Sequence, residues 1–250
     1  MKKNFAGALI VMFLLAGATA FAQSSDSDFV DASDTPPIET FLGFQFNIDL
    51  QKVTDWDTGD DITGNMMIPS INLGARSYFM EAGDTGLQLG AVVMLNVGFI
   101  SQTMDGWKPT KSNYMLNMGG LIGGTLRAHF GDSGLAFVAD LGFLLNMDMN
   151  SYERYSWYYG TVTQEYTETN YGVGITPALQ YHMPLVDKMN LIFELGVNVG
   201  VGFLTMAKTT LKNSNGDELY STALENMNKD PYNYGLRFRV GPYLNVGVNF

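Results

Sequence analysis

The chain has 250 residues, no cysteine, and 14 basic against 25 acidic residues, for a formal net charge of −11. This acidic balance argues against nucleic acid as a partner, and the lack of cysteine excludes disulfides and lipid attachment to a cysteine. The length fits a single domain, because barrels of this size commonly form one unit.

The N-terminus has the three parts of a secretory signal peptide. Two lysines follow Met1, residues 7–17 form an apolar run, and a small-x-small cleavage site ends at Ala22. The apolar run is shorter than the roughly 20 residues that a membrane helix needs. We therefore predict a signal peptide at 1–22 and, from the Ser, Asp and Pro content that follows, a disordered periplasmic tail at 23–38.

The rest of the chain alternates apolar and polar residues with a period of two, which is typical of β-strands. In the last segment the even-numbered residues from Tyr232 to Phe250 are apolar, and most of the odd-numbered ones are Asn, Gly or Arg. Short turns alternate with long loops, as in outer-membrane barrels with periplasmic turns and termini. The predicted strands are 40–54, 66–81, 85–102, 112–130, 134–150, 167–184, 190–207 and 232–250.

Ten successive apolar positions on one face are more than a compact soluble core usually needs, whereas a bilayer requires them. We predict an all-β fold, an eight-stranded antiparallel transmembrane up-and-down β-barrel over residues 39–250. The predicted location is the outer membrane, with the long loops extracellular. A soluble β-sandwich or lipocalin-like barrel is the alternative, and it would turn the apolar faces inward.

The interior of an eight-stranded barrel is just wide enough for side chains to fill it. Charged residues on the polar faces are then core residues that need partners. Turn positions and matching parity predict two structural ion pairs inside the barrel, Asp49–Arg239 and Asp140–Arg127. A gate or a proton path is the functional alternative. Apolar residues also fall on the interior face of strands three to five, namely Val92, Met94, Leu121, Val138 and Leu144.

The residue inventory offers little for catalysis or metal binding. The only two histidines, His129 and His182, end downward strands at the periplasmic rim, so a Ser–His–acid group cannot form in the outer half. A carboxylate site without histidine stays open, but we expect no enzyme, no cofactor and no zinc or copper site. The first loop holds carboxylates that could bind calcium, although an acidic solvated loop is the preferred interpretation. These are Asp55, Asp57, Asp60 and Asp61.

The third long loop is crowded with aromatic residues around Gly160. Aromatic side chains exposed together are frequent anchors of protein or glycan contacts. The alternative is that the flanking strands extend above the membrane and stack these rings as cross-strand pairs. The candidate contact residues are Tyr155, Trp157, Tyr158 and Tyr159.

The signal peptide, strand count, loop asymmetry and final strand together resemble the small eight-stranded outer-membrane barrels typified by OmpX, the OmpA membrane domain and OmpW. The resemblance covers 39–250 and implies that Phe250 belongs to the signal read by the barrel-assembly machinery. The partners would be outer-membrane lipid, that machinery, and an extracellular protein or glycan ligand. The expected function is structural or surface display with a filled interior; the alternative, suggested by OmpW-like barrels, is a narrow channel or pocket for small apolar molecules.

Overall fold

The computed structural model describes residues 38–54, 61–81, 87–104, 112–186, 189–225 and 236–249. Within these ranges the regular secondary structure is β-strand, and no helix is long and apolar enough to cross a membrane. The strands are β1 (Ile38–Thr54), β2 (Asp61–Glu81), β3 (Leu87–Phe99), β4 (Ser101–Met104), β5 (Ser112–His129), β6 (Leu135–Ser156), β7 (Gly160–Val186), β8 (Met189–Lys212), β9 (Glu218–Glu225) and β10 (Leu236–Asn249).

Eight of these strands form one closed antiparallel ring. β1 pairs with β2 on one side and with β10 on the other, and β3, β5, β6, β7 and β8 follow in chain order between them. β4 pairs with β2, and β9 pairs with β8. The prediction of an all-β up-and-down fold with eight strands around the ring is confirmed. β1 begins at Ile38, the last residue of the predicted tail.

The upper part of the molecule is more regular than predicted. β6 continues to Ser156 and β7 begins at Gly160, so most of the segment predicted as the third loop is a β-hairpin. β8 continues to Lys212 and pairs there with β9, in the segment predicted as the fourth loop. Strand pairing thus extends well beyond the bounds that the alternation of apolar residues indicated.

The ring is strongly staggered. Following Cα partners once around it from Glu39 leads back to β1 at Asp49, an offset of 49 − 39 = 10 residues. Closure of a sheet requires such a stagger, with strands tilted by about 40°. The residues on this row are Glu39, Arg76, Val92, Gly123, Gly142, Gly174, Gly200, Arg239 and Asp49.

The two faces of the ring have reversed chemistry compared with a soluble protein. Large apolar side chains point outward on every strand of the ring, and Phe44 and Phe143 are 71% and 73% exposed. Charged side chains point inward, where Arg76 and Arg127 are at most 1% exposed. This is the opposite of the arrangement that the soluble alternative requires.

Two neighbouring glycines of β5 allow a matched test of wall packing. A Cβ built at Gly123 would lie 2.1 Å from the backbone oxygen of Leu141, whereas one at Gly124 has its nearest contact at 3.7 Å. We expect Gly123→Ala to lower the free energy of unfolding by about 1–3 kcal/mol, the usual cost of overpacking, and Gly124→Ala to leave it almost unchanged. Urea unfolding in lipid vesicles measures both values, and equal effects would contradict the packing of β5 against β6.

Candidate functional site

The interior of the ring holds two clusters of charged side chains. We call lower the end where β1 begins and β10 ends, and upper the end that carries the β6–β7 hairpin. All the charged side chains concerned lie at inward positions and are almost completely buried. The lower ionic cluster consists of Glu39, Arg76, Arg127, Asp140 and Glu194, and the upper ionic cluster consists of Asp49, Asp148, Arg237 and Arg239.

Arg76 joins three other strands of the ring. Its Nη1 lies 2.6 Å from a carboxylate oxygen of Glu39 on neighbouring β1 and 2.6 Å from one of Glu194 on β8. Its Nε and Nη2 donate hydrogen bonds of 3.0 and 2.8 Å to Asp140 on β6. Because β6 and β8 lie three strands away from β2 in either direction around the ring, the Arg76 side chain crosses the interior and fills it at this level.

Arg127 has partners other than the one predicted from sequence. Its Nε and Nη2 donate to Gln88 Oε1 at 2.8 and 2.6 Å, and its Nη1 lies 3.2 Å from Glu39. Asp140 instead binds Arg76. The structure therefore corrects the predicted Asp140–Arg127 pair. The prediction compared adjacent strands only, whereas Gln88 is the direct Cα partner of Arg127 and Asp140 reaches across the ring.

Neutral side chains complete the lower ionic cluster. Gln180 Nε2 donates to Glu39 at 2.7 Å and to Glu194 at 2.6 Å, and the hydroxyl of Thr176 donates to Asp140 at 2.9 Å. Three carboxylates face two guanidinium groups, so the cluster carries a formal charge of −1. Buried charges are tolerated when they are paired and their remaining lone pairs accept hydrogen bonds, which these amide and hydroxyl donors provide.

The upper ionic cluster also spans the interior. Arg239 Nε lies 2.7 Å from Asp49 Oδ1 and its Nη2 donates to Oδ2 at 2.8 Å, so the structure brings together the two residues of the predicted pair. Arg239 Nη1 reaches Asn146 on β6 at 2.5 Å. Arg237 contacts both Asp49 and, on β6, Asp148. The two arginines of β10 thus hold β1 on one side and β6 across the ring.

An apolar layer separates the two clusters. Val92, Leu121 and Leu144 form a buried core with Met94 packed against it. Leu144 lies between Asp140 and Asp148 along β6, that is, between a residue of the lower cluster and one of the upper cluster. A layer of hydrocarbon between two sets of paired charges disfavours the passage of ions, because an ion crossing it would lose its polar partners.

Buried asparagines follow one row of Cα partners through the interior. Glycines on the same row make room for them: a Cβ at Gly119 would lie 2.4 Å from Asn146 Oδ1 and 2.8 Å from Asn96 Oδ1. Oδ1 of Asn96 has no partner among the protein groups that the structure describes, and we expect ordered water to bind there. The row is Asn245, Gly43, Asn72, Asn96, Gly119, Asn146 and Asn170.

The aromatic candidates lie at the tip of the β6–β7 hairpin and are exposed. Trp157 and Tyr158 are 92% and 93% exposed, and Tyr155 and Tyr159 are also mostly accessible. The rings of Tyr155 and Trp157 meet edge to face with centroids 6.3 Å apart. The strands do extend upward, as the alternative held, but the rings at the tip remain available for contact.

Other candidate residues lie elsewhere. His129 and His182 meet near the lower end of the ring with ring centroids 5.4 Å apart. Among the calcium candidates, Asp55, Asp57 and Asp60 lie outside the described residues and Asp61 is the first residue of β2; in the part of the chain that is described, no three His, Asp or Glu side chains form a metal-binding group. Phe250, the predicted assembly signal, also lies outside the described residues.

Sequence reasoning missed several polar residues of the interior. Glu39 lies one residue before the predicted start of the first strand, although its parity matches that of Asp49. Asp148 has the parity of Asp140 on the same strand and could have been found by that rule. Gln88 and Gln180 carry no charge, and only the three-dimensional arrangement shows that they bind Arg127 and Glu39.

Comparison with known proteins gives no matching family model and no matching curated protein. Similar solved structures include outer-membrane proteins. A major outer membrane protein from Thermus thermophilus has 12% identity and a TM-score of 0.44, covering 81% of this chain and 99% of that chain. The outer membrane protease OmpT from Escherichia coli has 9% identity and a TM-score of 0.42, covering 89% and 99%. The translocator domain of the autotransporter NalP from Neisseria meningitidis has 14% identity and a TM-score of 0.26, covering 96% and 98%.

These likenesses, with TM-scores below 0.5, carry no argument about what this chain binds or does. The expectation that the protein is not an enzyme is withdrawn, because an outer membrane protease is among the similar structures and a barrel of this kind therefore does not exclude enzymatic activity. The residue inventory had excluded a Ser–His–acid group in the outer half and had left a carboxylate site without histidine open, and the upper half of the ring does contain buried carboxylates, Asp49 and Asp148.

The lower ionic cluster yields a stability prediction. Arg76→Gln leaves three buried carboxylates without their shared cation, and we expect the free energy of unfolding to fall by about 3–5 kcal/mol. The matched control is Lys212→Gln, which removes a partly exposed pair with Glu165 and should cost less than about 1 kcal/mol. Urea unfolding in lipid vesicles gives both values. Equal losses in the two variants would contradict the role of Arg76 as the shared cation of the lower ionic cluster.

Proposed function

We propose that the protein is an outer-membrane β-barrel with a filled interior that displays its β6–β7 hairpin outside the cell. The observation that carries this proposal is the reversal of the two faces, with apolar side chains exposed on every strand of the ring and charges buried inside. An exposed apolar belt of this extent is stable only in contact with another apolar medium, and a bilayer is the medium that surrounds a closed ring on all sides.

The connections between strands at the two ends of the ring support one orientation of the protein in the membrane. The lower turn between β5 and β6 is tight: Phe130 N donates to Leu135 O at 2.9 Å and the Ser133 hydroxyl donates to Phe130 O at 2.7 Å. At the upper end, the described connections include two long hairpins, β6–β7 and β8–β9, that extend beyond the ring. Outer-membrane barrels have short periplasmic turns and long extracellular loops. We therefore place both termini in the periplasm, as in the small eight-stranded barrels that the sequence resembles.

The filled interior supports a structural and display role. Side chains of both ionic clusters reach from one wall to the opposite wall, and the apolar layer lies between them. Contacts with partner molecules are then expected at the two ends of the ring. Trp157 and Tyr158 lie in the exposed turn that joins the hydrogen-bonded strands β6 and β7, where they are accessible to an extracellular protein or glycan.

Membrane placement and orientation can be tested because the chain has no cysteine. Trp157→Cys places a single thiol at the hairpin tip, and Asp132→Cys places one in the exposed lower turn. We expect a membrane-impermeant maleimide added to intact cells to label the first variant, and the second only after the outer membrane has been permeabilised. The reverse pattern would contradict the orientation, and recovery of the protein in the soluble fraction would contradict membrane placement.

A second function has one observation in its favour, the apolar core of Val92, Leu121 and Leu144 inside the ring. It would suit a narrow channel or pocket for small apolar molecules. Planar-bilayer recordings separate the two functions, since we expect the wild-type protein to give no steady conductance because charged and apolar side chains fill the interior. A steady, sizeable conductance would contradict the filled interior and favour transport.

A further inference from the structure

Two outward-facing prolines interrupt the hydrogen bonding of the ring. Proline has no N–H and cannot donate to a neighbouring strand. The β7–β8 ladder is broken at Pro177, between the pairs Ile175–Val199 and Ala178–Gly196. The β1–β10 ladder is broken at Pro242, between the pairs Gln45–Tyr243 and Ile48–Val240. Pro242 is also the Cα partner of Val197 on β8, so the two prolines lie on either side of the same stretch of β8.

An apolar groove lies on the outer surface at this place. It has a volume of about 450 Å³ and runs over β6, β7, β8 and β10. Phe137, Leu179 and Leu195 form part of its rim, with Pro177 and Pro242 beside Val197. Among the described residues, no charged side chain lines it. The groove therefore offers a surface for hydrocarbon and none for a polar head group.

Two of the residues that line the groove occupy inward-facing positions of their strands. Ala178 and Gly196 line the groove, yet both residues have inward parity and are buried. From inside, the ring of Tyr243 covers Gly196 so closely that a Cβ there would lie 2.5 Å from Tyr243 Cζ and 2.7 Å from Ala178 Cβ. The wall is thin here because two small residues, Ala178 and Gly196, pair directly beside the interruption of the β7–β8 ladder.

We propose that this groove binds one hydrocarbon chain of a membrane lipid. The inference rests on the proposed membrane placement, because the groove lies within the exposed apolar belt and is continuous with it at Leu179 and Leu195. A hydrocarbon chain buries the apolar floor that a flat bilayer contact leaves uncovered, and burial is favourable in proportion to the apolar area covered. The groove is shallow and open to the outside, which suits a single flexible chain lying along the surface.

Photo-crosslinking tests the proposal with the full chain in phosphatidylcholine vesicles. A phosphatidylcholine with a diazirine on its acyl chain is included, the sample is irradiated, and adducts are mapped by mass spectrometry. We expect adducts at 177–179 and 195–197 to exceed those at other outward positions of the same strands several-fold. Val197→Phe fills the groove and should reduce these adducts several-fold. Val246→Phe is the matched control, because the two valines are 41% and 43% exposed and Val246 lies outside the groove.

Each result has a distinct meaning. Even labelling around the belt of an inserted protein would overturn the lipid site and leave the membrane placement standing. Failure of the protein to enter the vesicles would overturn the placement itself. Covalent dimers formed by a cross-linker, with no lipid adducts in the groove, would show that a second copy occupies it and would also overturn the proposal. An equal loss of adducts in the Val197 and Val246 variants would show that the effect is not local to the groove, which contradicts the site.

Discussion

The contact on which the structure most depends is that of Arg76 with three carboxylates from three different strands. Hydrogen bonds between neighbouring strands hold each pair of strands together, but they do not join opposite walls. Arg76 does so, because its guanidinium binds Glu39 on β1, Asp140 on β6 and Glu194 on β8. A guanidinium has five donors in a fixed plane, which suits it to several carboxylates at once. A lysine has three donors on a point charge and could not hold the same arrangement.

The stagger of the ring makes room for these long side chains. The row of Cα partners that starts at Glu39 and ends at Asp49 has its charged residues on β1, β2 and β10 and glycines on β5 to β8. At the level of this row, the wall opposite the long side chains consists of glycines, which leaves space for those side chains in the interior. Leu144 uses the same space, since its methyl groups lie against Gly174 and Gly200. These glycines thus provide space for large neighbouring side chains, and this explains their presence without any need for backbone flexibility.

The architecture could be predicted from the sequence, but only some of the side-chain contacts inside the ring could. Alternation with period two predicted which face each residue takes, and this held from Phe44 outward to Arg239 inward. Register between adjacent strands could be estimated from the ends of the chain, which is why Asp49 and Arg239 were placed together. The partner of Asp140 could not be found in this way, because Arg76 comes from the far side of the ring and its position depends on the stagger at closure. An odd or even position along a strand determines whether a side chain points inward or outward. It does not determine which residue of the opposite wall that side chain contacts.

A filled interior moves the search for function to the surfaces of the ring. In the part of the chain that is described, the charges of both ionic clusters have partners of opposite sign, and most of the buried polar atoms without a protein partner are amide or hydroxyl atoms suited to water. The upper rim instead exposes aromatic rings at the turn of the β6–β7 hairpin, and the outer wall is interrupted where Pro177 removes a donor from the ladder. Both features oppose stability, since exposed rings and missing hydrogen bonds each cost free energy. Features that a fold retains against its own stability are the ones most directly linked to contact with other molecules, and here they lie outside the ring.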